Sequence, residues 1–253
     1  MNNQIFYFTG TGNSLQIAQN IADSLGGSEA ISLAGYDLSA EVEAERVGIV
    51  FPVYFWGLPK IVERFLKQLK IKRGAYVFAV ANYGLWPGKA LDAAGRILEQ
   101  RSIPLNSAFL IKMPDNYILW YGAKSEKIQN KLFEREKIKI KHIAEIVGRK
   151  EESPMEKSRY VVDRIFTNPV NRSAAKKYGT QDLKFSATES CVGCGLCEKI
   201  CPVHNITLIN QKPVWNHHCE VCLACIQRCP RKAIDYNQKT QNRTRYINPN
   251  VKF

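Results

Sequence analysis

Short apolar runs alternate, along the first half of the chain, with segments in which apolar residues recur every three or four positions. The run at residues 4–9 is typical of a buried strand, and helical spacing follows it until Gly26-Gly27. Further strands are predicted at residues 30–33, 46–51, 75–81 and 108–111, and helices near residues 58–70, 88–100 and 125–148. Strands that alternate with helices indicate an α/β fold, in which helices cover both faces of a parallel sheet.

The pattern divides the chain into four parts. Residues 1–150 carry the alternating strands and helices, and residues 151–184 lack a clean period, so we expect them to link or to wrap. A small cysteine-rich domain is predicted at residues 185–240, followed by a polar tail at residues 241–253.

The charge of the chain is basic but unevenly spread. The formal net charge is +13, yet residues 1–123 carry 11 basic and 10 acidic side chains. Residues 124–150 and residues 185–253 each carry 9 basic and 4 acidic side chains. The longest apolar runs are far shorter than the roughly twenty residues that cross a bilayer, so we expect a cytoplasmic protein without a membrane span.

The basic segment at residues 124–150 is predicted to be one helix. Its apolar residues are expected to face the sheet, and they are Ile128, Leu132, Ile138, Ile143 and Ile146. Its basic face carries Lys131, Arg135 and Lys139. This pattern is typical of a solvated surface helix, so no binding to nucleic acid is expected.

All eight cysteines fall within 39 residues and repeat one pattern, C-x2-C-x2-C-x3-C-P, with a period of 28 residues. Bacterial two-cluster ferredoxins use this run to hold a pair of [4Fe–4S] clusters. Three thiolates spaced in this way wrap three corners of one cube, and the fourth points away to complete the other cube. We therefore expect one cluster on Cys191, Cys194, Cys197 and Cys229, and a second on Cys219, Cys222, Cys225 and Cys201.

Other uses of the cysteines fit the pattern less well. Disulfide frameworks belong to secreted chains, and no charged region followed by an apolar stretch and a cleavage site opens this sequence. Structural zinc sites use two CxxC pairs, or one pair with histidines, which leaves the third closely spaced cysteine unexplained. The duplicated run accounts for every thiol.

A glycine-rich loop separates the first predicted strand from the first helix. Its residues are Thr9, Gly10, Thr11, Gly12, Asn13 and Ser14. The N-terminus of a helix offers free backbone N–H groups and a partial positive charge, which suit a phosphate dianion. No lysine of the P-loop type follows, and the third glycine of the dinucleotide fingerprint is missing, so a nucleoside triphosphate is not expected.

Two later loops combine aromatic side chains with glycine at the predicted carboxyl ends of strands. Open parallel sheets bind their ligands at these ends, and a flat isoalloxazine ring needs both stacking surfaces and accessible backbone groups. The candidate residues in the first loop are Pro52, Tyr54, Phe55, Trp56 and Gly57. Those in the second are Asn82, Tyr83, Gly84 and Trp86.

With these motifs, residues 1–150 resemble the flavodoxins and residues 185–240 resemble the two-cluster ferredoxins. In this order the chain is similar to the flavodoxin–ferredoxin fusion proteins of anaerobic bacteria. The resemblance implies a flavodoxin-like doubly wound parallel sheet with a small α+β ferredoxin domain. It also implies FMN, its phosphate on the glycine-rich loop and its ring against Trp56 and Tyr83. Gly57 matches the flavodoxin position whose carbonyl meets the N5–H of the half-reduced flavin.

The implied function is electron transfer between the two [4Fe–4S] clusters and FMN, with exchange to low-potential carriers such as ferredoxin or flavodoxin. The expected partners are acidic redox proteins, whether ferredoxin, flavodoxin or a reductase, which would dock on a basic face. The alternative is an FMN-dependent reductase that receives electrons through its clusters. The sequence offers no obvious acid/base pair near the flavin loops for that second activity, so no catalytic residue is assigned.

Overall fold

The computed structural model describes residues 3–163, 167 and 178–253 of the chain. The first domain contains the strands β1 Asn3–Tyr7, β2 Ser28–Ser32, β3 Arg46–Pro52, β4 Tyr76–Tyr83 and β5 Ser107–Lys112. Its helices are α1 Asn13–Leu25, α2 Lys60–Gln68, α3 Ala90–Gln100 and α4 Glu126–Gly148. Among the helices in these described ranges, none is both long and apolar enough to cross a membrane.

The five strands form one parallel sheet in the order β2-β1-β3-β4-β5. This is the doubly wound order of flavodoxin-like folds, which bind their ligand where the strand order reverses. The predicted fold class is confirmed, and each predicted strand and helix of this domain is present. Because all five strands run in one direction, their carboxyl ends share one edge of the sheet.

Two apolar layers hold the helices against the sheet. Neighbouring residues on a strand point to opposite faces, so Ile5 packs in the layer under α1 and α4, whereas Phe6 packs in the layer under α2 and α3. The central strand β3 is buried along nearly its whole length. The sheet edge that carries the loops is therefore a rigid platform.

Helix α4 packs through a different stripe from the one that the sequence predicts. Ile128 and Ile138 are 48% and 71% exposed, so the expectation that they face the sheet is wrong. Ile143 is buried as predicted, and the other buried positions are Phe133, Glu136, Ile140 and Val147.

Glu136 lies in this buried stripe because its carboxylate joins α4 to α1. It accepts hydrogen bonds from Gln16 Nε2 at 3.1 Å and Asn20 Nδ2 at 2.9 Å. Burial raises the pKa of Glu136 above its usual value. The contact fixes the helix whose N-terminus closes the glycine-rich loop.

The cysteine-rich domain is built from two similar halves. Its elements are β6 Phe185–Ala187, α5 Leu196–Lys199, β7 Ile206–Ile209, β8 Lys212–Trp215, α6 Ala224–Arg228 and β9 Ile234–Tyr236. Strand β6 pairs with β9 and β7 pairs with β8, both antiparallel. Each short helix contains the third cysteine of one copy of the repeat, Cys197 in α5 and Cys225 in α6.

Of the segment predicted to link or to wrap, residues 153–156 lie along the outer strand β5, whereas Tyr178–Lys184 forms a 3₁₀ helix before β6. The backbone N–H of Ser153 donates to the Asn106 carbonyl at 3.0 Å, and that of Glu156 donates to the Ala108 carbonyl at 2.9 Å. The Glu156 carboxylate accepts from Leu110 N–H at 2.8 Å. The rest of the predicted segment, residues 164–166 and 168–177, lies outside the described residues.

Candidate functional site

The glycine-rich loop at residues 9–14 joins β1 to α1 at the carboxyl edge of the sheet. Gly12 has a φ of 103°, a left-handed conformation that glycine adopts without strain. Its N–H donates to Thr9 Oγ1 at 2.9 Å. The turn leads directly into α1, so the start of that helix, with its free N–H groups and positive dipole, lies in the loop.

Three hydroxyl groups of the loop are held by neighbours so that they can donate to a ligand. Thr11 Oγ1 accepts a hydrogen bond from Asn116 Nδ2 at 2.5 Å, and Ser14 Oγ accepts one from Asn82 Nδ2 at 2.7 Å. Thr9 Oγ1 accepts from Gly12 N–H in the same way. Because each oxygen already accepts a bond, its own O–H remains available as a donor. Such a set of donors fits an anion.

Asn13 differs from the other side chains of the loop. Its Nδ2 donates to the Pro114 carbonyl at 2.9 Å, and its Oδ1 accepts from the Tyr246 hydroxyl at 2.6 Å. The side chain is engaged within the protein and fixes the loop in place. What Asn13 can offer a phosphate group is its backbone N–H at the start of α1.

A cavity lies beyond the loop, with about 1000 Å³ of empty space up to and including its open mouth. Most of the residues that the sequence predicts for a flavin line it: Thr9, Gly10, Thr11, Asn13, Ser14, Pro52, Tyr54, Phe55, Trp56, Asn82, Tyr83, Gly84 and Trp86. The structure thus brings the three predicted loops around one space.

Two predicted residues, Gly12 and Gly57, do not line this cavity. A Cβ atom on Gly12 would lie 2.7 Å from Val251 Cγ2 and 2.9 Å from Asn248 Cβ, so the C-terminal segment covers that side of the loop. The carbonyl of Gly57, which the resemblance assigns to the flavin N5–H, accepts from Tyr54 N–H at 3.0 Å.

Phe55 and Trp56 occupy a tight turn between Tyr54 and Gly57. Both have positive φ, 48° and 62°, as the central residues of a type I′ turn do. The Trp56 ring stacks on Trp86 with 5.4 Å between ring centroids and an interplanar angle of 13°. Trp56 Nε1 is buried and has no hydrogen-bond partner within the described residues. Buried donors are seldom left unpaired, so the polar edge of a ligand would fit this wall.

A further loop, which follows β5, also lines the cavity and was missed by the sequence analysis. Its contribution consists of Pro114, Asp115, Asn116, Tyr117, Trp120 and Tyr121. The rule that ligands bind at the carboxyl ends of parallel strands predicts this loop too. It was overlooked because the residues with which it lines the cavity include no glycine, whereas glycine marks the aromatic loops after β3 and β4.

Within this loop, Asp115 and Tyr121 are joined by a hydrogen bond. The Tyr121 hydroxyl donates to Asp115 Oδ2 at 2.7 Å, and Asp115 Oδ1 accepts from Tyr117 N–H at 3.0 Å. Burial, followed by the hydrogen bond and the negative charge of Asp115, raises the pKa of Tyr121 well above its usual value. Tyr121 is therefore a neutral hydrogen-bond donor at physiological pH.

The cysteine-rich domain closes the remaining side of the cavity. Val221 and Leu223, on either side of Cys222, belong to the lining. The two domains approach so closely that a Cβ atom on Gly10 would lie 2.0 Å from the Cys222 carbonyl oxygen. The loop of one domain and a cysteine of the other are thus in direct backbone contact.

Glu220, two residues before Cys222, fastens the two domains together. Its carboxylate is 3% exposed, accepts from the Ile61 N–H at the start of α2 at 3.0 Å, and pairs with Arg64 at 2.7 Å. A carboxylate at a helix N-terminus meets unpaired N–H groups and the positive end of the helix dipole. The contact holds Cys222 against the sheet domain.

The segment predicted as a polar tail packs against the glycine-rich loop. The Asn248 N–H donates to the Thr11 carbonyl at 2.8 Å, and Tyr246 and Asn248 are 2% and 1% exposed. The Phe253 ring lies under the Arg228 guanidinium, 3.7 Å from ring centroid to Cζ. The end of the chain therefore joins α6 to the loop.

We expect Asn248→Ala to loosen the glycine-rich loop. Asn248 Nδ2 donates to Gln16 Oε1 at 2.7 Å and to Asn13 Oδ1 at 3.1 Å, both buried contacts. Each buried hydrogen bond that is lost costs about 0.5–1.5 kcal/mol, so the free energy of unfolding in urea should fall by about 1–3 kcal/mol for the two bonds.

Asn250→Ala is the matched control for this experiment. Asn250 is exposed and reaches Gln16 Oε1 only at 3.3 Å, so its loss should cost less than about 0.5 kcal/mol. Equal losses for the two variants would show that the buried bonds of Asn248 do not hold the loop.

The first predicted set of cysteines surrounds a second, smaller cavity. Cys191, Cys194, Cys197 and Cys229 all line it, together with Cys225 of the other set. In a cubane each thiolate binds a different iron, so its four sulfurs surround a space rather than converge on a point. Among the described residues, no three His, Cys, Asp or Glu side chains converge closely enough to hold a single metal ion.

The second predicted set lies deeper, at the boundary with the sheet domain. Cys222 is buried among apolar residues of the sheet domain, whereas Cys201, Cys219 and Cys225 border the apolar layer of their own domain. Burial raises the pKa of the Cys222 thiol to about 12 and that of Cys197, in the first set, to about 11. Without a cation these thiols stay protonated, so a bound iron cluster would displace their protons.

Three cysteine sulfurs, those of Cys219, Cys201 and Cys229, each accept one hydrogen bond from a backbone N–H group. Val221 N–H, inside the second cysteine run, donates to Cys219 Sγ at 3.2 Å. Asn205 N–H donates to Cys201 Sγ at 3.2 Å and Ala233 N–H to Cys229 Sγ at 3.3 Å. Such bonds favour the thiolate and influence the potential of a cluster.

Comparison with known protein families finds one match. Residues 187–207 match the family described as 4Fe-4S binding domain, which includes the whole first cysteine run. No curated protein matches the chain. The chain therefore carries a 4Fe-4S binding motif in its second domain.

Solved structures similar to this chain cover a little over half of it. The flavodoxin of Streptococcus pneumoniae TIGR4 is 20% identical, with a TM-score of 0.45, over 59% of this chain and 99% of that one. Rubredoxin oxygen:oxidoreductase of Desulfovibrio gigas is 14% identical, with a TM-score of 0.42, over 58% and 35%. An FMN-dependent NADH-azoreductase of Bacillus anthracis is 8% identical, with a TM-score of 0.41, over 58% and 100%. The flavodoxin-like fold assigned here rests on the strand order of the chain itself.

Proposed function

We propose that this chain is an electron-transfer protein that relays electrons between two [4Fe–4S] clusters and one FMN. The single observation that carries the proposal is the position of Cys222. The residues on both sides of it, Val221 and Leu223, line the same cavity as the glycine-rich loop and the aromatic turn. A cluster on the second cysteine set would therefore lie beside a flavin in that cavity.

The residues of the cavity have distinct roles in this proposal. The hydroxyls of Thr9, Thr11 and Ser14 and the N-terminus of α1 would bind the phosphate. Trp56 and Tyr83 would hold the ring, and Trp56 Nε1 is a free donor for its polar edge. Bound FMN accepts one or two electrons and each cluster accepts one, which lets the chain exchange electrons with carriers of either kind.

The proposed partners are acidic low-potential carriers such as ferredoxin or flavodoxin, in the cytoplasm of an anaerobe. The support is charge: residues 185–253 carry 9 basic and 4 acidic side chains, and two of those acids, Glu220 and Asp235, are buried. A basic surface attracts acidic partners and accelerates their association at low ionic strength.

The proposal is tested by the composition of the chain purified without air. We expect about eight irons, about eight sulfides and one FMN per chain, because each cubane holds four irons. An anaerobic titration should then show flavin and iron–sulfur absorption bleaching in separate steps. A chain that contained two metal ions and no flavin would refute the relay.

A reductase is the second candidate function, and the Asp115–Tyr121 pair favours it. An enzyme that reduces an organic molecule at a flavin needs a proton donor beside the ring. Tyr121 lines the open cavity with its hydroxyl already bound to a carboxylate.

The reductase is tested by adding a small quinone to the holoprotein while dithionite is supplied through a mediator, after subtraction of the rate at which dithionite and mediator reduce the quinone without the protein. Steady consumption of the quinone that Tyr121→Phe slows at least about tenfold would support a proton-donating role. Reduction of the quinone at the same rate by both proteins would leave the relay as the function.

A further inference from the structure

The two cysteine sets differ in their access to solvent. Cys194 of the first set is exposed, whereas Cys222 of the second set is 8% exposed and packs in the apolar layer shared with the sheet domain. If the chain binds its cofactors as proposed above, only the first cluster lies near the protein surface on this side. A protein partner that docks beside Cys194 would therefore exchange electrons with the first cluster.

Two exposed apolar side chains lie in the segments that border the first cluster cavity, Val192 in the first cysteine run and Ile209 at the end of β7. Val192 lines the first cluster cavity and is 58% exposed. The β7–β8 hairpin contacts the residue between Val192 and Cys194, because a Cβ atom on Gly193 would lie 2.6 Å from Gln211 Cβ. Ile209 of this hairpin is 55% exposed. Single exposed apolar residues are ordinary, but a cluster of them beside a functional group marks an interaction site.

A basic rim surrounds this apolar centre. Lys199, Arg231 and Lys232 are exposed, and none has a carboxylate within 4.0 Å among the residues that the structure describes. Lys212 lies 3.9 Å from Glu189, whose side chain is fully solvated. An apolar centre with a charged rim is the usual composition of a protein interface, and the sign of the rim selects a partner of opposite charge.

We propose that the surface formed by Val192, Cys194, Lys199, Ile209 and Lys212, named here the cluster-one face, is the docking site for an acidic electron-carrier protein. The carriers are then used in a fixed order. One electron passes from the partner to the cluster on the first cysteine set, then to the cluster on the second set, and then to the flavin. A second copy of this chain does not fit the face, because two basic rims repel each other.

The double variant Lys199→Glu/Lys212→Glu tests the face, since neither lysine lines the cluster cavity. Lys131→Glu/Lys141→Glu on α4 is the matched control, with the same change of net charge at another exposed surface. Stopped-flow mixing at low salt measures how fast a reduced acidic [2Fe–2S] ferredoxin reduces each holoprotein. We expect the cluster-one variant to react at least about tenfold more slowly, and the control to remain within about twofold of the wild type.

Cofactor analysis, the comparison of the two variants and a gel-shift assay make the result decisive. Iron and FMN contents and cluster potentials must match the wild type in both variants; a wild type without clusters or flavin would instead refute the proposed function. Equal slowing of both variants would overturn the docking site, because net charge alone would then explain the effect. The docking site would also be overturned if the wild type and the control variant shifted a DNA or RNA duplex in a gel at physiological salt and the cluster-one variant did not.

Discussion

Replacing Cys222 with alanine is expected to stop electrons at the first cluster. The second cluster loses one of its four ligands, so the iron content should fall from about eight to about four per chain. An acidic ferredoxin should still reduce the first cluster, while the flavin stays oxidised on the timescale at which the wild-type flavin is fully reduced. Separate absorption changes of the iron–sulfur and flavin bands measure both events.

The physical reason is the position of the second cysteine set beside the flavin cavity. Val221 and Leu223 reach the flavin cavity, and Cys222 between them touches Gly10 through its carbonyl. The first cysteine set has no residue in that lining. Removing the second cluster therefore leaves a gap between the first cluster and the flavin, and electron transfer falls steeply as such a gap widens.

Cys194→Ala provides the matched control for this prediction. It removes the first, exposed cluster, so the ferredoxin should reduce neither the remaining cluster nor the flavin, whereas dithionite should reduce both. The two variants thus fail at different points of the same path. Reduction of the flavin by ferredoxin at the wild-type rate in Cys222→Ala would contradict the path through the second cluster.

The sequence predicts the elements of the sheet domain because each has its own local period. The five strands and the glycine-rich loop require only neighbouring residues to be recognised, and the loop after β5 was within reach of the same rule. The buried stripe of α4 could not be predicted in this way. Ile128 and Ile138 are apolar yet exposed, and one of the buried positions is occupied by the acidic residue Glu136. That position depends on Gln16 and Asn20, which lie more than a hundred residues away.

The contacts that join the domains leave no local signal in the sequence. Tyr246 binds Asn13 across 233 positions, and its segment is too polar to predict burial. Glu220 is a lone acid between two cysteines, and only the fold brings the N-terminus of α2 to it. Sequence therefore predicts the cofactor motifs, whereas their arrangement around one cavity depends on the tertiary fold.

Gly10→Ala is expected to separate the domains and weaken flavin binding. The added Cβ would lie 2.0 Å from the Cys222 carbonyl oxygen and 3.0 Å from its carbonyl carbon. These are backbone atoms, which cannot rotate away as a flexible side chain can. Overpacking of this kind costs about 1–3 kcal/mol, and the free energy of unfolding in urea should fall by about that amount.

The same displacement should affect function more than stability, because Gly10, Val221 and Leu223 line one cavity. Moving the cysteine-rich domain outward opens the cavity, so FMN should dissociate more readily on dilution and its reduction by ferredoxin should slow. Gly148→Ala is the control: its Cβ would meet only Leu25 Cδ2 at 3.8 Å, an ordinary contact. If Gly10→Ala matched Gly148→Ala in stability, FMN retention and reduction rate, the close approach of the loop to Cys222 would have no part in joining the flavin to the clusters.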